Sequence, residues 1–280
     1  MKRALGYLAA LAAIAAVLFF LLFPLLSDQA AQRAARQQIS DYLSWADALS
    51  AEETEERLAK AEAYHAAPAD RGREEYSGIA GPSQVMGALE LPKIGAALPI
   101  YAGGIEGQAR LLTHQTGTAL PVGETGGHAV LTGPDGVPAD GLAGRLGLLS
   151  ARMLRDAERL AVGDLMIVRM LKDTRVYRVE SVQVISQAAE AAPLKADAEE
   201  KTLTLLVHGE RQRLRLQGRM IPIRDAAADL AAADGAEVAP AWQSALVLGL
   251  PVFLAGAVIL LIAEAFRGRR YRLPDGNKKG

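Results

Sequence analysis

Residues 86–104 read MGALELPKIGAALPIYAGG, and residues 112–133 read LTHQTGTALPVGETGGHAVLTG. Both stretches consist of short apolar runs that glycine and proline interrupt. Further runs of this kind follow at 165–170, 176–185, 202–207 and 214–216. Short apolar or alternating runs between turn residues are typical of β-strands, and several in succession favour a barrel or a sandwich. The sequence therefore predicts a mainly β domain over residues 86–224.

The composition excludes several classes of function. The chain has 280 residues, which allows one globular domain with flanking segments. A net charge of −1 and an aromatic content of only 5% do not support a nucleic-acid partner, because neither a basic patch nor a base-stacking platform is present. The chain contains no cysteine, which excludes disulfides, thiolate metal sites and cysteine nucleophiles.

An apolar run near the N-terminus predicts a membrane anchor. Ala4–Leu26 is a run of 23 uncharged residues behind Lys2 and Arg3, long enough to cross a hydrocarbon core of about 30 Å. A cleaved signal peptide is the alternative. Its apolar part usually has about 7–15 residues, and Leu21–Leu26 offers no small-residue cleavage site. The alanine-rich segment after Ser27 leaves processing open.

A second apolar run near the C-terminus predicts a second anchor. Ala245–Ala263 is uncharged, follows Trp242, and precedes a cluster of four basic residues, Arg267, Arg269, Arg270 and Arg272. A buried core helix is the alternative, but a long uncharged run closed by a basic cluster favours a membrane span. Since basic residues stay in the cytoplasm, we expect both termini inside, the main domain outside the cell, and the protein in the cell membrane.

The chain between the anchors divides by composition. Apolar residues recur near a helical period over residues 29–67, which predicts one or two helices. Proline and glycine in 68–85 predict a loop. The expected order is an anchor over 1–27, a helical stalk and loop over 28–85, the β domain over 86–224, a linker over 225–243, a transmembrane helix over 244–266 and a basic cytoplasmic tail over 267–280.

The β domain resembles the sortases, and most closely the pilin-polymerising class C. That class has an M-G-x-l-x-I-P-k-I strand, then L-P-I-Y and a glycine turn. The matching residues here are Met86, Gly87, Leu91, Pro92, Lys93, Ile94, Leu98, Pro99, Ile100, Tyr101 and Gly103. The resemblance implies a closed, sortase-like β-barrel, and two membrane anchors are also found in that class.

The resemblance continues to about residue 220. The family's G-H-x-x-G-T-S-L-P-V-G-G segment is matched by His114, Gly117, Thr118, Ala119, Leu120, Pro121, Val122 and Gly123. Its T-H-x-V-L-T-G stretch is matched by His128, Val130, Leu131, Thr132 and Gly133. A later turn is matched by Ser150, Ala151, Leu154, Leu160, Gly163 and Asp164. The order of these unusual proline and glycine positions makes the resemblance specific.

The resemblance implies a catalytic trio that this chain does not keep. A sortase uses a cysteine thiolate as nucleophile, a histidine as proton donor and an arginine to stabilise the oxyanion. The family's T-L-x-T-C strand aligns with Thr202–Leu206, so that Leu206 occupies the cysteine position. The histidine position holds Pro134 or, if about eleven residues are inserted, Arg145. Neither side chain transfers protons near neutral pH.

Arg213 matches the catalytic arginine and is the only member of the trio that is retained. The alternative for Arg213 is a solvated or salt-bridged residue, because its strand also carries Arg211, Arg215 and Arg219. Class C sortases also carry a lid with an Asp-Pro-aromatic motif. The loop at 68–76 contains no such tripeptide.

No replacement nucleophile or metal site is predicted. Thr204 and His208 share a strand face with Leu206, but four residues of extended strand separate them by about 13 Å. For His114 and His128 we expect structural hydrogen bonds. A metal site of His114, His128 and His208 has no ligand-like spacing, so no metal or cofactor is expected.

These observations favour a membrane-anchored, extracytoplasmic pseudo-sortase of a Gram-positive cell envelope, without transpeptidase activity. Its expected partners are the membrane and pilin or other sorting-signal proteins, or an active sortase. The alternative is an active class C sortase-type transpeptidase with rearranged catalytic residues. A decaying gene copy without a role is a third interpretation.

Overall fold

The computed structural model describes residues 32–65, 76, 78–103, 112–124, 127–138, 150–151, 154–186, 201–209 and 213–235. These residues belong to one compact unit that runs from Phe23 to Ala236. Within the described residues, no helix is both long enough and apolar enough to cross a membrane. Both predicted anchors, at 4–26 and 245–263, lie outside the described residues, and so does the loop at 68–75.

Two helices precede the β domain, where the sequence predicts one or two. Helix α1 covers residues 32–48, and helix α2 covers Ala51–His65. Ser50 caps α2, because its Oγ accepts from the backbone N–H of Glu53 at 3.1 Å. In return the Glu53 carboxylate accepts from the Ser50 N–H at 2.8 Å. This reciprocal pair satisfies two donors that would otherwise lack a partner, and it defines where the helix begins.

The β domain is a closed barrel of eight strands, which confirms the closed barrel that the family resemblance implies. Ten strands are described in all: β1 Val85–Leu91, β2 Ala96–Tyr101, β3 Thr113–His114, β4 His128–Pro134, β5 Val137–Pro138, β6 Ser150–Ala151, β7 Leu165–Met170, β8 Asp173–Ile185, β9 Thr202–His208 and β10 Arg213–Ile221. The barrel order is β1-β2-β3-β4-β9-β10-β8-β7, and β5 and β6 form a separate two-stranded sheet. Most neighbours are antiparallel, but β2–β3 and β4–β9 are parallel.

Along β9 and β10, alternate side chains belong to the main barrel core and to the opposite face. On β9, Leu203, Leu205 and Val207 belong to the main hydrophobic core, as do Leu214 and Leu216 on β10. Successive side chains of a strand point to opposite faces, so the residues between these point away from the core. The apolar residues of the core are fully or nearly fully buried.

Helix α1 is attached to the barrel through Tyr42. The Tyr42 hydroxyl donates to the carbonyl of Met86 at 2.6 Å and accepts from the N–H of Leu171 at 2.8 Å. The side chain is 1% exposed, and burial raises the pKa of Tyr42 to about 12. A phenol hydroxyl that both donates and accepts a hydrogen bond can be buried at little cost. Through these two bonds Tyr42 fixes α1 against the start of β1 and the end of β7.

A third helix covers part of the segment that the sequence assigns to a linker. Helix α3 spans Ile223–Gly235, whereas a linker is expected over 225–243. Ala226 is 0% exposed and packs with Leu165, Ile167 and Val176 of the barrel. Alanine favours helices, and the contact between Ala226 and the barrel adds to that preference. The part of the linker beyond residue 235 lies outside the described residues.

Candidate functional site

Three neighbouring strands, β4, β9 and β10, form the face of the barrel on which the family-matched positions lie. Thr132 pairs with Leu206 in the parallel β4–β9 ladder, and Leu206 pairs with Arg215 in the antiparallel β9–β10 ladder. We call this side of the three strands the outer face, although its middle is buried: Val130, Thr204 and Leu206 are at most 2% exposed. It consists of the residues that point away from the core: His128, Val130, Thr132 and Pro134 on β4, Thr202, Thr204, Leu206 and His208 on β9, and Arg213, Arg215, Gln217 and Arg219 on β10.

The structure brings three of the four family-matched residues together at one end of this face. Pro134 pairs with His208, His208 pairs with Arg213, and Leu206 is the next residue of β9 on the same side. Leu206 is 2% exposed, whereas Pro134 and Arg213 are partly exposed. Arg145 lies outside the described residues. That these residues occupy catalytic positions is a prediction from the family resemblance, to which the structure adds their common location.

The chemistry available at this end of the face is limited. Leu206 offers only hydrocarbon, and Pro134 has no group that gains or loses a proton. Arg213 and Arg215 carry permanent positive charge and can donate hydrogen bonds to a carbonyl or a carboxylate. The arrangement can therefore bind a polar backbone or an anion, but it lacks an attacking group at the matched position.

A buried pair of polar side chains lies deeper on the same face. His128 Nε2 is 2.7 Å from Thr204 Oγ1, and the two side chains are 5% and 0% exposed. Burial lowers the pKa of His128, and the positive charge of Arg215 lowers it further. The His128 imidazole is therefore neutral at neutral pH. The Thr204 hydroxyl and the His128 ring are hydrogen-bond partners, so both of these buried polar groups are paired.

Sequence reasoning missed this pair because it compared Thr204 only with His208 on the same strand. His128 and Thr204 are 76 positions apart in the chain. They meet because β4 and β9 are parallel neighbours, with His128 opposite Thr202 and therefore diagonal to Thr204. Alternating polar residues at 202 and 204 indicate a shared strand face, but nothing in the sequence indicates which strand lies beside it.

His208 occupies the position between Pro134 and Arg213. It is partly exposed, and burial lowers its pKa. The imidazole thus lies one strand away from the position where the family resemblance places a catalytic histidine. Four residues of β9 separate His208 from Thr204, whose own partner is His128.

His114 lies apart from this face, on β3, and has both ring nitrogens in hydrogen bonds. Its Nδ1 is 2.8 Å from the Tyr76 hydroxyl, and its Nε2 is 2.8 Å from the Ala119 carbonyl. The expected structural role of His114 therefore agrees with its contacts. Across the described parts of the chain, no group of three or more His, Cys, Asp or Glu side chains could hold a metal ion.

The comparisons with known proteins place the fold. No protein-family model matches the chain, and no curated protein matches its sequence. Several solved structures do match. Sortase C-1 from Streptococcus pneumoniae is 29% identical, with a TM-score of 0.55, and the match covers 66% of this chain and 98% of that one.

Two further structures show the same likeness. Sortase C1 of Streptococcus agalactiae, in a complex with MTSET, is 27% identical with a TM-score of 0.54, covering 66% of this chain and 97% of that one. A pilus-related sortase C of Group B Streptococcus is 25% identical with a TM-score of 0.53, covering 66% and 96%. The resemblance to class C sortases is thereby confirmed: the described domain has the fold of these pilin sortases, in a chain that contains no cysteine.

Proposed function

We propose that this protein is a membrane-anchored, extracytoplasmic pseudo-sortase that binds a sorting signal or a partner protein in pilus assembly or cell-wall protein anchoring, and that it has no transpeptidase activity. The observation that carries the proposal is Leu206, which lies on the outer face between Thr132 and Arg215 where the family resemblance requires a cysteine. A leucine side chain cannot form the thioester on which sortase chemistry depends.

The proposed loss of activity has a second support on β4. A proton must reach the leaving amine in acyl transfer, and Pro134 cannot supply it. Arg213, by contrast, can still donate hydrogen bonds to a substrate carbonyl. A site that keeps the recognising arginine without an attacking group is suited to binding rather than turnover.

The proposed partner follows from the relatives. One relative is described as a pilus-related sortase C, and we extend that association to this chain as a pilin or another sorting-signal protein. An active sortase is the other candidate partner. The proposed location in the cell membrane, with both termini cytoplasmic and the main domain outside, is supported by the apolar runs Ala4–Leu26 and Ala245–Ala263 and by their flanking basic residues.

The test uses the full-length chain in detergent or in a lipid nanodisc. Its affinity is measured for a pilin with its sorting signal and for the same pilin without that signal. We expect only the first to bind, and Arg213→Ala to weaken that binding roughly tenfold, which corresponds to a hydrogen bond from a charged donor.

The matched control is Arg219→Ala. Arg219 lies on the same strand and face but at the other end, where it pairs with Thr202, and it forms an ion pair with Glu180 at 2.9 Å. We expect this change to leave binding unaltered. Equal affinity for the pilin without its signal, or covalent pilin product from the unmodified protein, would contradict the proposal.

A second candidate function is an active transpeptidase with rearranged catalytic residues, and the Thr204–His128 pair favours it. A hydroxyl 2.7 Å from a neutral imidazole has the geometry of a nucleophile beside a general base. Arg215 pairs with Leu206, only two residues from Thr204. The 0% exposure of Thr204 counts against this candidate, because a nucleophile must reach its substrate.

The two candidates are separated by mass spectrometry after incubation with pilin and a nucleophile peptide. Thr204→Val removes the hydroxyl and keeps the shape of the side chain. Thr202→Val is its control, since Thr202 lies on the same face of the same strand. Product that forms with the unmodified protein and with Thr202→Val, but not with Thr204→Val, would establish the transpeptidase and exclude the pseudo-sortase.

A further inference from the structure

A buried network of aromatic and polar side chains joins the last turn of α2 to the barrel, away from the outer face. Its centre is His114 on β3, which is 1% exposed. Tyr64 and His65 come from α2, and Tyr76 follows α2 in the chain. The Tyr64 and Tyr76 rings lie 6.1 and 5.8 Å from the His114 ring, measured between centroids.

The hydrogen bonds of His114 define its protonation state. The Ala119 carbonyl can only accept, so Nε2 carries the hydrogen in the 2.8 Å contact. In a neutral ring Nδ1 is then the acceptor, and the Tyr76 hydroxyl donates to it at 2.8 Å. The network is thus complete for a neutral imidazole, and a second proton would turn Nδ1 into a donor that faces another donor.

Tyr64 carries the network from His114 to the helix. Its hydroxyl accepts from the backbone N–H of Gly117 at 3.1 Å and lies 3.4 Å from the Tyr76 hydroxyl. The Tyr76 hydroxyl also lies 3.4 Å from Thr116 Oγ1. In a protonated ring the Tyr76 hydrogen would turn from Nδ1 to one of these oxygens, and a 3.4 Å contact is a weaker hydrogen bond than the 2.8 Å contact with Nδ1.

Among the described residues, the charged groups around this network have partners other than His114. His65 of α2 is near enough for its charge to act on His114, and its Nε2 accepts from the Leu120 N–H at 3.0 Å. Nδ1 of His65 is 3.5 Å from a Glu62 oxygen, and the other Glu62 oxygen accepts from the Glu124 N–H. On the barrel side, Arg175 of β8 donates to the Gly123 carbonyl and pairs with Asp173.

We propose that this network is a pH-sensitive latch: protonation of His114 releases the last turn of α2 from the barrel, while α1 and the barrel keep their structure. No carboxylate contacts His114 in the part of the chain that the structure describes, and burial of an imidazolium is costly, so the latch opens instead of holding the charge. Helix α1 has its own attachment, since Tyr42 bonds to Met86 and Leu171. Release is therefore local.

The ionisation of His114 agrees with this geometry. Burial lowers the pKa of His114 from 6.5 to about 4, and the nearby His65 lowers it in the same direction. The closed form binds the proton poorly, and the open form binds it as a free histidine does. Acid therefore favours the open form, progressively from pH 6.5 down to about 4.

The test is hydrogen exchange on the full-length protein in nanodiscs, corrected for the pH dependence of the chemical exchange rate. Between about pH 7 and about pH 4.5, linkage with a closed-state pKa near 4 predicts an increase in opening of roughly 50-fold. We expect it in peptides from residues 58–65 and 114–124, and not in α1, β7 or β8. Opening of α1 and the barrel together with α2 would be global unfolding and would overturn the proposal.

Variants identify the group that titrates. His114→Gln removes the proton site and should abolish the difference between the two pH values. His128→Gln is the matched control, since His128 is also buried with a lowered pKa but lies outside the network. Persistence of the acid response in His114→Gln, or its loss in His65→Gln alone, would overturn the proposal.

Tyr76→Phe tests the latch without a change to the histidine. It removes the hydroxyl that donates to Nδ1 and so weakens the neutral form of His114. The midpoint of opening should move to higher pH by up to about one unit, the equivalent of one buried hydrogen bond. A midpoint that does not move, or that moves to lower pH, would contradict the assignment of Nδ1 as acceptor.

Discussion

At the scale of single residues, the proposed loss of activity rests on Leu206, at the position that the sortase resemblance assigns to the nucleophile. Leu206 is almost completely buried beside Arg215, so the position is filled by hydrocarbon that neither attacks nor donates. Arg213 is two residues from Arg215 along β10 and pairs with His208 of β9. We therefore attribute the proposed difference between an enzyme and a binding protein on this fold to two side chains, at positions 206 and 134.

Restoring the thiol alone should not restore turnover. Leu206→Cys supplies a nucleophile, but Pro134 still cannot protonate the leaving amine. We expect no more than a trace of acyl-enzyme from Leu206→Cys, and a clear increase from Leu206→Cys combined with Pro134→His. Mass spectrometry of the protein after incubation with a sorting-signal peptide measures both. Equal product from the single and double variants would show that another group acts as the acid.

The Thr204–His128 hydrogen bond should contribute measurably to stability. Thr204→Val leaves the buried Nε2 of His128 without its partner at 2.7 Å, which we expect to lower the free energy of unfolding by about 1–3 kcal/mol. Urea unfolding of the full-length protein at neutral pH measures the change. Thr202→Val serves as the comparison. If it lowers the free energy of unfolding by the same amount, the effect comes from any loss of a hydroxyl on β9 and not from the Thr204–His128 hydrogen bond.

At the scale of elements, helices outside the barrel are attached by a few specific contacts. Tyr42 attaches α1, the His114 network attaches α2, and Ala226 packs α3 against Leu165, Ile167 and Val176. Helices as short as α2 and α3 are marginal in isolation, so these contacts supply much of the stability that keeps them helical.

A charge at Ala226 should distinguish a packed helix from a linker. Ala226 is 0% exposed, so Ala226→Asp buries a carboxylate against an apolar cluster and should destabilise by about 2–5 kcal/mol. Ala228→Asp, on the exposed side of the same helix, should change stability by less than about 0.5 kcal/mol. Thermal unfolding and hydrogen exchange of residues 223–235 measure both. The same small effect at both positions would indicate that α3 does not pack on the barrel.

At the scale of the whole molecule, the buried ionisable groups predict a stability profile that falls on both sides of neutral pH. On the acid side, the pKa of His114 is about 4 in the folded protein and 6.5 when unfolded. Its contribution is complete above pH 6.5 and is lost as the pH falls towards 4, by up to about 3 kcal/mol. Burial also lowers the pKa of His128 and His208, which act in the same direction.

On the alkaline side, two buried tyrosines set the limit. Burial raises the pKa of Tyr42 and of Tyr177 to about 12 from 10. Their contribution is complete below pH 10 and is lost as the pH rises towards 12, because the unfolded chain ionises first. Urea unfolding across the pH range should therefore give a broad maximum near neutrality. A maximum displaced into the acid range below pH 6 would contradict the burial of His114.

Many of the barrel strands can be predicted from the sequence because strand periodicity is a local property. The runs at 165–170, 176–185 and 202–207 correspond closely to β7, β8 and β9. The turn between β7 and β8 consists of Leu171 and Lys172 and contains neither glycine nor proline. The segment around Ala226 could not be assigned from its local sequence. An alanine- and aspartate-rich segment is compatible with a linker or a helix, and only the apolar surface beside it selects the helix.

The sequence by itself determined that this chain lacks a thiol and that its middle is built from strands, since both follow from residue identity and local order. Only the tertiary structure decided which residues are neighbours. The parallel pairing of β4 with β9 brings His128 to Thr204, and the docking of α2 brings Tyr64 and His65 to the loop after His114. Strand order and helix docking depend on how the whole core packs, and a local pattern carries no information about partners far away in the chain.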